Sequence, residues 1–179
     1  MIVLAVAAKV TKMRDTVKIS LVNPPPLKGV YRHQPYLPIG LAYLAAVLEE
    51  KGHEVSVVDC PALEMNHENL KKELTSIEPH IIGITSMTPT IQSALLSAHT
   101  AKESCPDATT VLGGPHATFM DKQVLIEEEA VDVIVRGEGE QTLKELAQNV
   151  SNAKSLNKIE GITFRNNNGQ PVRTPKVGS

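Results

Sequence analysis

Aromatic side chains are almost missing from this chain: there is no tryptophan, and two phenylalanines and three tyrosines are all it carries. Stacking platforms for single-stranded nucleic acid need rows of such rings, so that kind of binding is excluded. An excess of one charge is lacking too. The formal net charge is −2 with both signs interspersed, which offers neither a basic block for nucleic acid or a membrane surface nor an acidic tail for a basic partner. Cysteine occurs only at Cys60 and Cys105. Their spacing fits no CxxC or Cys/His zinc pattern, and they are read as reduced, structural thiols of a cytoplasmic protein. No hydrophobic run is long enough to span a bilayer. The opening "MIVLAVAAKVTKMRD" lacks a basic n-region and turns to charge after Ala8, so residues 1–16 are expected to be a loosely ordered leader read from an upstream start codon.

What the chain does have is material for a core. Its 179 residues are 41% hydrophobic and 21% charged, which suits one globular domain with a small appendage. Short β-rich runs occur at "VKISLV" (17–22), "EVSVVD" (54–59), "HIIGIT" (80–85), "ATTVLG" (108–113) and "VDVIVR" (131–136). Between them lie helical stripes: Leu41, Leu44, Ala45 and Leu48; Ile91, Ala94, Leu95 and Ala98; Leu143, Leu146, Ala147 and Val150. Leu70, Leu74 and Ile77 mark a helix near 66–78, and Ala117, Met120 and Val124 a shorter one. Strands alternating with helices specify a parallel sheet covered on both faces, and right-handed crossovers leave a doubly wound α/β domain. The expected sheet is five-stranded in the flavodoxin-like order 2-1-3-4-5, over residues 17–153. The tail, 154–179, contains "GITFRNNNGQPVRTP". Its Asn168-Gly169 pair predicts a β-hairpin with a type I′ turn, lying on the sheet edge or leading into a further domain.

In such sheets ligands bind beyond the carboxyl ends of the strands. The unusual loops all fall at that end: "NPPPLKGVYRHQPYLPIG" after strand 1, "TSMTPT" after strand 3, "GGPHAT" after strand 4 and "GEGEQT" after strand 5. Taken alone, Gly113-Gly114 is a tight turn, His116 a helix start with its ring in solvent, and "TSMTPT" plain helix capping. Taken together they describe a wall without side chains beside a row of hydroxyls. "GEGEQT" imitates GxGxxG, but Glu138 and Glu140 would repel a dinucleotide pyrophosphate. A receiver domain needs acidic residues where Asn23 and Thr85-Ser86 stand, and a flavodoxin needs a phosphate cradle where the prolines stand. Periodicity and spacing therefore lead to a doubly wound domain with a glycine-lined, weakly polar pocket for a sizeable ligand.

The combination "NPPP…YLPIGLAYLAAVLEEKGHEVSVVD", "PHIIGITSMT", "CPDATTVLGGPHAT" and "VDVIVRGEGEQTLKEL" resembles the amino-terminal cobalamin (B12)-binding domain of cobalamin-dependent radical SAM enzymes. That family includes corrinoid radical methylases and the anaerobic Mg-protoporphyrin IX monomethyl ester cyclase. The resemblance covers about residues 17–175, and the final hairpin is similar to the one that precedes the radical SAM barrel.

The resemblance implies that Gly113 and Gly114, with Pro115 after them, give the cobalamin a bare wall. Thr85, Ser86 and Thr88, in one loop with Met87, would hydrogen-bond its nucleotide tail. Asn23, Pro24, Pro25, His116, Gly137, Glu138 and Gly139 would line the lower face of the corrin ring. The DxHxxG motif that supplies a lower histidine ligand in other cobalamin domains is replaced here by Asn23-Pro24-Pro25-Pro26, and His33 lies well downstream. The corrinoid is therefore expected base-off, with no protein imidazole on cobalt. The chain also lacks CxxxCxxC, so SAM and the 4Fe-4S cluster would belong to a radical SAM domain absent from it, reached in cis or in trans. On this reading the chain has no catalytic residues and no metal ligands of its own, and serves a methyltransferase or cyclase. The rival readings are a flavin- or nucleotide-binding electron carrier and a stand-alone corrinoid-binding or sensor domain.

Overall fold

The computed structural model describes residues 16–27, 37–149 and 153–178; residues 1–15 of the expected leader, His33 and Val150 lie outside them. Seven strands form one sheet in the order β2-β1-β3-β4-β5-β6-β7. The first five are β1 (Lys18–Asn23), β2 (Glu54–Asp59), β3 (Ile81–Thr85), β4 (Thr109–Gly113) and β5 (Val133–Val135), and all pair in parallel. The helices between them are α1 (Ile39–Glu50), α2 (His67–Ile77), α3 (Ile91–Ser104), α4 (Pro115–Glu127) and α5 (Glu140–Asn149). This is the expected doubly wound domain.

The central strands are buried on both sides because helices cover both faces. On one face Val22, Ile82, Ile84, Leu112 and Ile134 meet Leu70 and Leu74 of α2, Ala94 and Ala98 of α3, and Leu125 of α4. On the other, Ile19, Leu21, Ile81, Val111 and Val133 meet Leu41 and Leu48 of α1 and Leu143 and Leu146 of α5. Local chemistry sets the helix ends. Asn66 and Asn69 form a reciprocal capping box that starts α2, and Pro115 starts α4 where a missing N–H costs nothing.

Two details need correction, whereas the hairpin, β6 (Ile162–Arg165) and β7 (Pro171–Arg173), lies on the sheet edge as expected, continuing the same sheet antiparallel beyond β5. Its turn is not type I′, which needs two left-handed residues: Gly169 has φ 74°, while Asn168 does not have positive φ. Asn166 replaces that geometry, its Oδ1 accepting from the N–H groups of Asn168 and Gln170. The stripe in α4 is also shifted. Met120 has non-helical φ/ψ and is exposed, and the neighbouring Asp121 turns inward at 1% exposure.

Asp121 is stable there because it is fully partnered. It accepts from Thr163 Oγ1 at 2.5 Å and from Arg173 Nε at 2.7 Å and Nη2 at 2.5 Å. Burial alone would raise its pKa, but the Arg173 and Thr163 hydrogen bonds hold the carboxyl down at about 2. This cluster joins α4 to both strands of the hairpin.

Candidate ligand-binding site

The order of the strands reverses between β1 and β3, and a cavity of about 580 Å³ opens there at the carboxyl edge. It does not stop at the rim. Leu21, Gly83 and Val111 stand in one row across β1, β3 and β4 by strand register, and all three line it. Leu41 and Leu44 of α1 and Leu143 of α5 form the opposite wall. The site is therefore an apolar slot between the sheet and the α1/α5 layer, open at the top.

Glycines keep this slot open in different ways. A side chain at Gly113 would meet nothing nearer than the Val135 carbonyl at 4.0 Å, and its φ is not left-handed. Its backbone therefore does not require glycine, and the missing side chain is free space inside the cavity. Gly114 is the opposite case. Its φ is 94°, and a Cβ would lie 2.5 Å from the Ser86 carbonyl, so its own fold demands glycine. Gly139 permits close packing, since a Cβ would come 3.3 Å from Leu44 Cδ2. Gly137, with φ 72°, turns the chain over open space.

Of the residues singled out in the sequence, Asn23, Pro24, Pro25, Thr85, Met87, Gly113, Gly114, Pro115, Gly137, Glu138 and Gly139 all border the cavity. Ser86, Thr88 and His116 do not border it and instead brace the loops. The N–H and Oγ of Ser86, which is fully buried, both donate to the Gly113 carbonyl at 2.8 Å. His116 N–H reaches the Ser86 carbonyl at 3.3 Å, and its Nδ1 lies 3.3 Å from Thr88 Oγ1. Asn23 is held at the end of β1 by its Nδ2, which donates to Asp59 Oδ1 at 2.8 Å.

Residue spacing missed four components. Gly83, an isolated glycine inside an apolar strand run, carried the one readable signal, because such a glycine marks close approach by a ligand or backbone. Leu21 and Val111 looked like ordinary core. Thr118 gave no signal, yet its Oγ1 donates to the Gly114 carbonyl and accepts from Gly137 N–H, each at 3.0 Å, so one hydroxyl joins the two glycine loops.

The site is suited to holding a ligand rather than to acid–base chemistry. Among the described residues no imidazole lines the cavity, and no group of three or more His, Cys, Asp and Glu could hold a metal ion. Both cysteines are free thiols. Burial, with Asp59 beside it, pushes the Cys60 thiol up to about 12, which makes it inert as a nucleophile. Glu138 and Glu140 give one side of the mouth negative charge.

Fold and site together define a doubly wound domain with a largely apolar cavity for a sizeable ligand at its strand ends. Residues 29–147 match the model of the B12 binding domain family. This chain belongs to that family, and its cofactor is a cobalamin. Among relatives, the anaerobic magnesium-protoporphyrin IX monomethyl ester cyclase of Rubrivivax gelatinosus is 39% identical over 142 residues, 77% of this chain and 26% of that protein. An uncharacterised methyltransferase of Pyrococcus horikoshii is 36% identical over 152 residues, 84% of this chain and 33% of that protein. The chain thus spans about a quarter to a third of these relatives. The radical S-adenosylmethionine methyltransferase TsrM of Kitasatospora setae, solved with cobalamin and a 4Fe-4S cluster, has the same fold at TM-score 0.76 and 24% identity, over 90% of this chain and 29% of that one. The radical enzyme OxsB, solved with aqua-cobalamin and S-adenosylmethionine, shares it at TM-score 0.77 and 18% identity, over 96% of this chain and 24% of that one.

The cavity fits the cofactor on its own terms. Cobalamin is a broad tetrapyrrole-like ring with a pendant nucleotide. An apolar slot reaching down the sheet from a bare glycine wall suits that shape, whereas a dinucleotide would meet Glu138 and Glu140.

Proposed function

We propose that this chain holds cobalamin for a radical SAM methyltransferase or cyclase in the cytoplasm, with the SAM-binding domain joined in cis. The rim at Gly113, Gly137 and the Asn23–Pro26 loop would hold the corrin ring, and the slot over Gly83 would take the nucleotide tail. Bound cobalamin supplies a cobalt centre able to carry a methyl group. The chain's own residues bind, orient and exclude water. Gly113 leaves room, Leu21, Val111 and Leu143 supply apolar contact, and Ser86 and Thr118 hold the glycine loops in register.

The observation that supports base-off binding is the composition of the cavity's border. Asn23, Pro24 and Pro25 occupy it at the end of β1, with no imidazole among the described lining residues, and none of these side chains is a cobalt ligand of the usual kind. His116 is engaged with Thr88 outside the cavity. Titrating aquacobalamin into the 179-residue chain tests the reading: a retained complex with a base-off visible spectrum is expected, unchanged in His116→Ala. Free elution of all cobalamin on gel filtration overturns it, and a large spectral change in His116→Ala overturns the absence of an imidazole ligand. A CxxxCxxC motif downstream of Ser179 in the same gene tests the cis arrangement.

A further inference from the structure

The segment from Asn23 to Pro26 is short of donors. Pro24, Pro25 and Pro26 have no N–H, so the loop cannot brace itself with its own backbone, and its carbonyls depend on donors from elsewhere. One such donor is Ser93, in the first turn of α3. Its Oγ donates to the Pro25 carbonyl, its side chain is buried at 3% exposure, and it borders the cavity.

Ser93 is itself fixed from behind. His67, the first residue of α2, places Nε2 at 3.2 Å from Ser97 Oγ, 3.3 Å from the Ser93 carbonyl and 3.4 Å from Ser93 Oγ. Counting protons assigns the tautomer. Ser97 gives its hydroxyl proton to the Ser93 carbonyl at 2.8 Å, and Ser93 gives its own to Pro25. Both hydroxyl oxygens can then only accept from the ring, so Nε2 carries the hydrogen. Burial lowers the His67 pKa and favours this neutral form.

The buried side of α3 also carries Ala94, Ala98 and Ala101, and Ser97 and Thr100, whose hydroxyls donate back to carbonyls of their own helix; Ser93 instead reaches another segment. A buried hydroxyl and imidazole there cost desolvation that alanines would avoid, and what they yield is one directed bond to a loop without donors of its own. We infer that Ser93 is a positioning residue for the cofactor cavity, its hydroxyl fixing the proline loop in the shape that meets the lower face of the corrin. This rests on the cobalamin reading of the cavity. Removing the hydroxyl leaves the Pro25 carbonyl without that donor and frees the loop before the cofactor arrives, so binding must then order it.

The test titrates aquacobalamin into the full chain and into Ser93→Ala and Thr100→Ala, following the visible spectrum and the dissociation constant. Both variants delete a buried hydroxyl from the same helix, but Thr100 Oγ1 donates to the Leu96 carbonyl of its own helix and only Ser93 reaches the loop. Ser93→Ala should bind about tenfold more weakly, the equivalent of one lost hydrogen bond, with a shifted cobalt absorption band. Thr100→Ala should stay within about twofold with an unchanged spectrum. Equal affinity and spectrum in Ser93→Ala overturn the inference, as does an equal loss in Thr100→Ala, which would mark general loosening of α3. If Ser93→Ala does not fold, Ser93→Cys keeps the volume with a weaker donor and should show the same spectral shift at smaller size; wild-type behaviour there overturns the inference. Failure of the wild type to bind cobalamin refutes the cavity's assignment instead, and so is distinguishable.

Discussion

The two edges of the parallel sheet are made by the same strands and are closed by different chemistry. At the amino edge side chains do the closing: His53 Nδ1 accepts the Val17 N–H at 3.3 Å, and His80 Nδ1 accepts the Lys18 N–H at 3.0 Å. Beside them Leu48 and Ile81 are fully buried. At the carboxyl edge side chains are left out. Ser86 and Thr118 bind backbone carbonyls and N–H groups of the glycine loops, and Gly113 leaves a void. Where the backbone and a few small hydroxyls hold the loops together, the remaining surface is free to meet a ligand. One edge therefore carries stability, and the other gives up packing for binding.

The largest effect should come from breaking the closed edge. Leu48→Ala removes a fully buried side chain and should cost about 2–5 kcal/mol in urea unfolding, with cobalamin affinity unchanged in the folded fraction. The mirror experiment is Gly113→Leu. The nearest atom to a Cβ there is the Val135 carbonyl oxygen at 4.0 Å, so nothing is crowded, and φ is not left-handed; stability should change by less than about 1 kcal/mol, whereas affinity should fall by about a hundredfold or more because the new side chain fills the slot. A variant that unfolds without losing affinity at Gly113, or that loses affinity without unfolding at Leu48, erases the contrast between the edges.

The hairpin lies beyond both edges and depends on a third device. Arg173→Ala leaves the Asp121 carboxylate buried with Thr163 as its side-chain hydrogen-bond donor, the Lys122 N–H beside it and Arg136 Nε 3.9 Å away. Because the Arg173 side chain is 47% exposed, the loss is discounted for solvent screening to about 1–2 kcal/mol. The sign of the acid response follows from the depressed Asp121 pKa, about 2. Its contribution is complete above the ordinary carboxylate range and disappears as pH falls through that range toward 2, so Arg173→Ala should flatten that acid limb in a stability–pH profile.

This cluster also marks how far the sequence could be read. Strand runs, helix stripes and the four carboxyl-end loops were legible because they depend on local periodicity and on the rule for doubly wound sheets. Asp121 was not, because α4 kinks at Met120 and the partners Thr163 and Arg173 are 42 and 52 positions away. The depth of the slot was hidden for a related reason. Leu21, Gly83 and Val111 become neighbours only through strand register, which single-strand patterns do not specify. Gly113 and Gly114 looked equivalent in "LGGPH" and differ in role, since only the folded backbone separates a glycine required by φ from one required by space.

The smallest expected effect sharpens the comparison from the amino edge. The His53 ring is buried, and burial lowers its pKa below the ordinary imidazole value. Folding therefore favours the neutral ring whose Nδ1 accepts the Val17 N–H, and protonation both charges a buried ring and removes that acceptor. The contribution is fully present above the unfolded imidazole pKa, about 6.5, and is lost as pH falls from there toward the lowered folded value. His53→Gln, whose amide oxygen can accept the same N–H but does not titrate, should make the unfolding midpoint less dependent on pH over that interval. Gly113→Leu neither adds nor removes a titrating group, so it should leave the pH dependence as it is in the parent chain. An identical acid slope in His53→Gln and the parent would remove His53 from the closure of that edge.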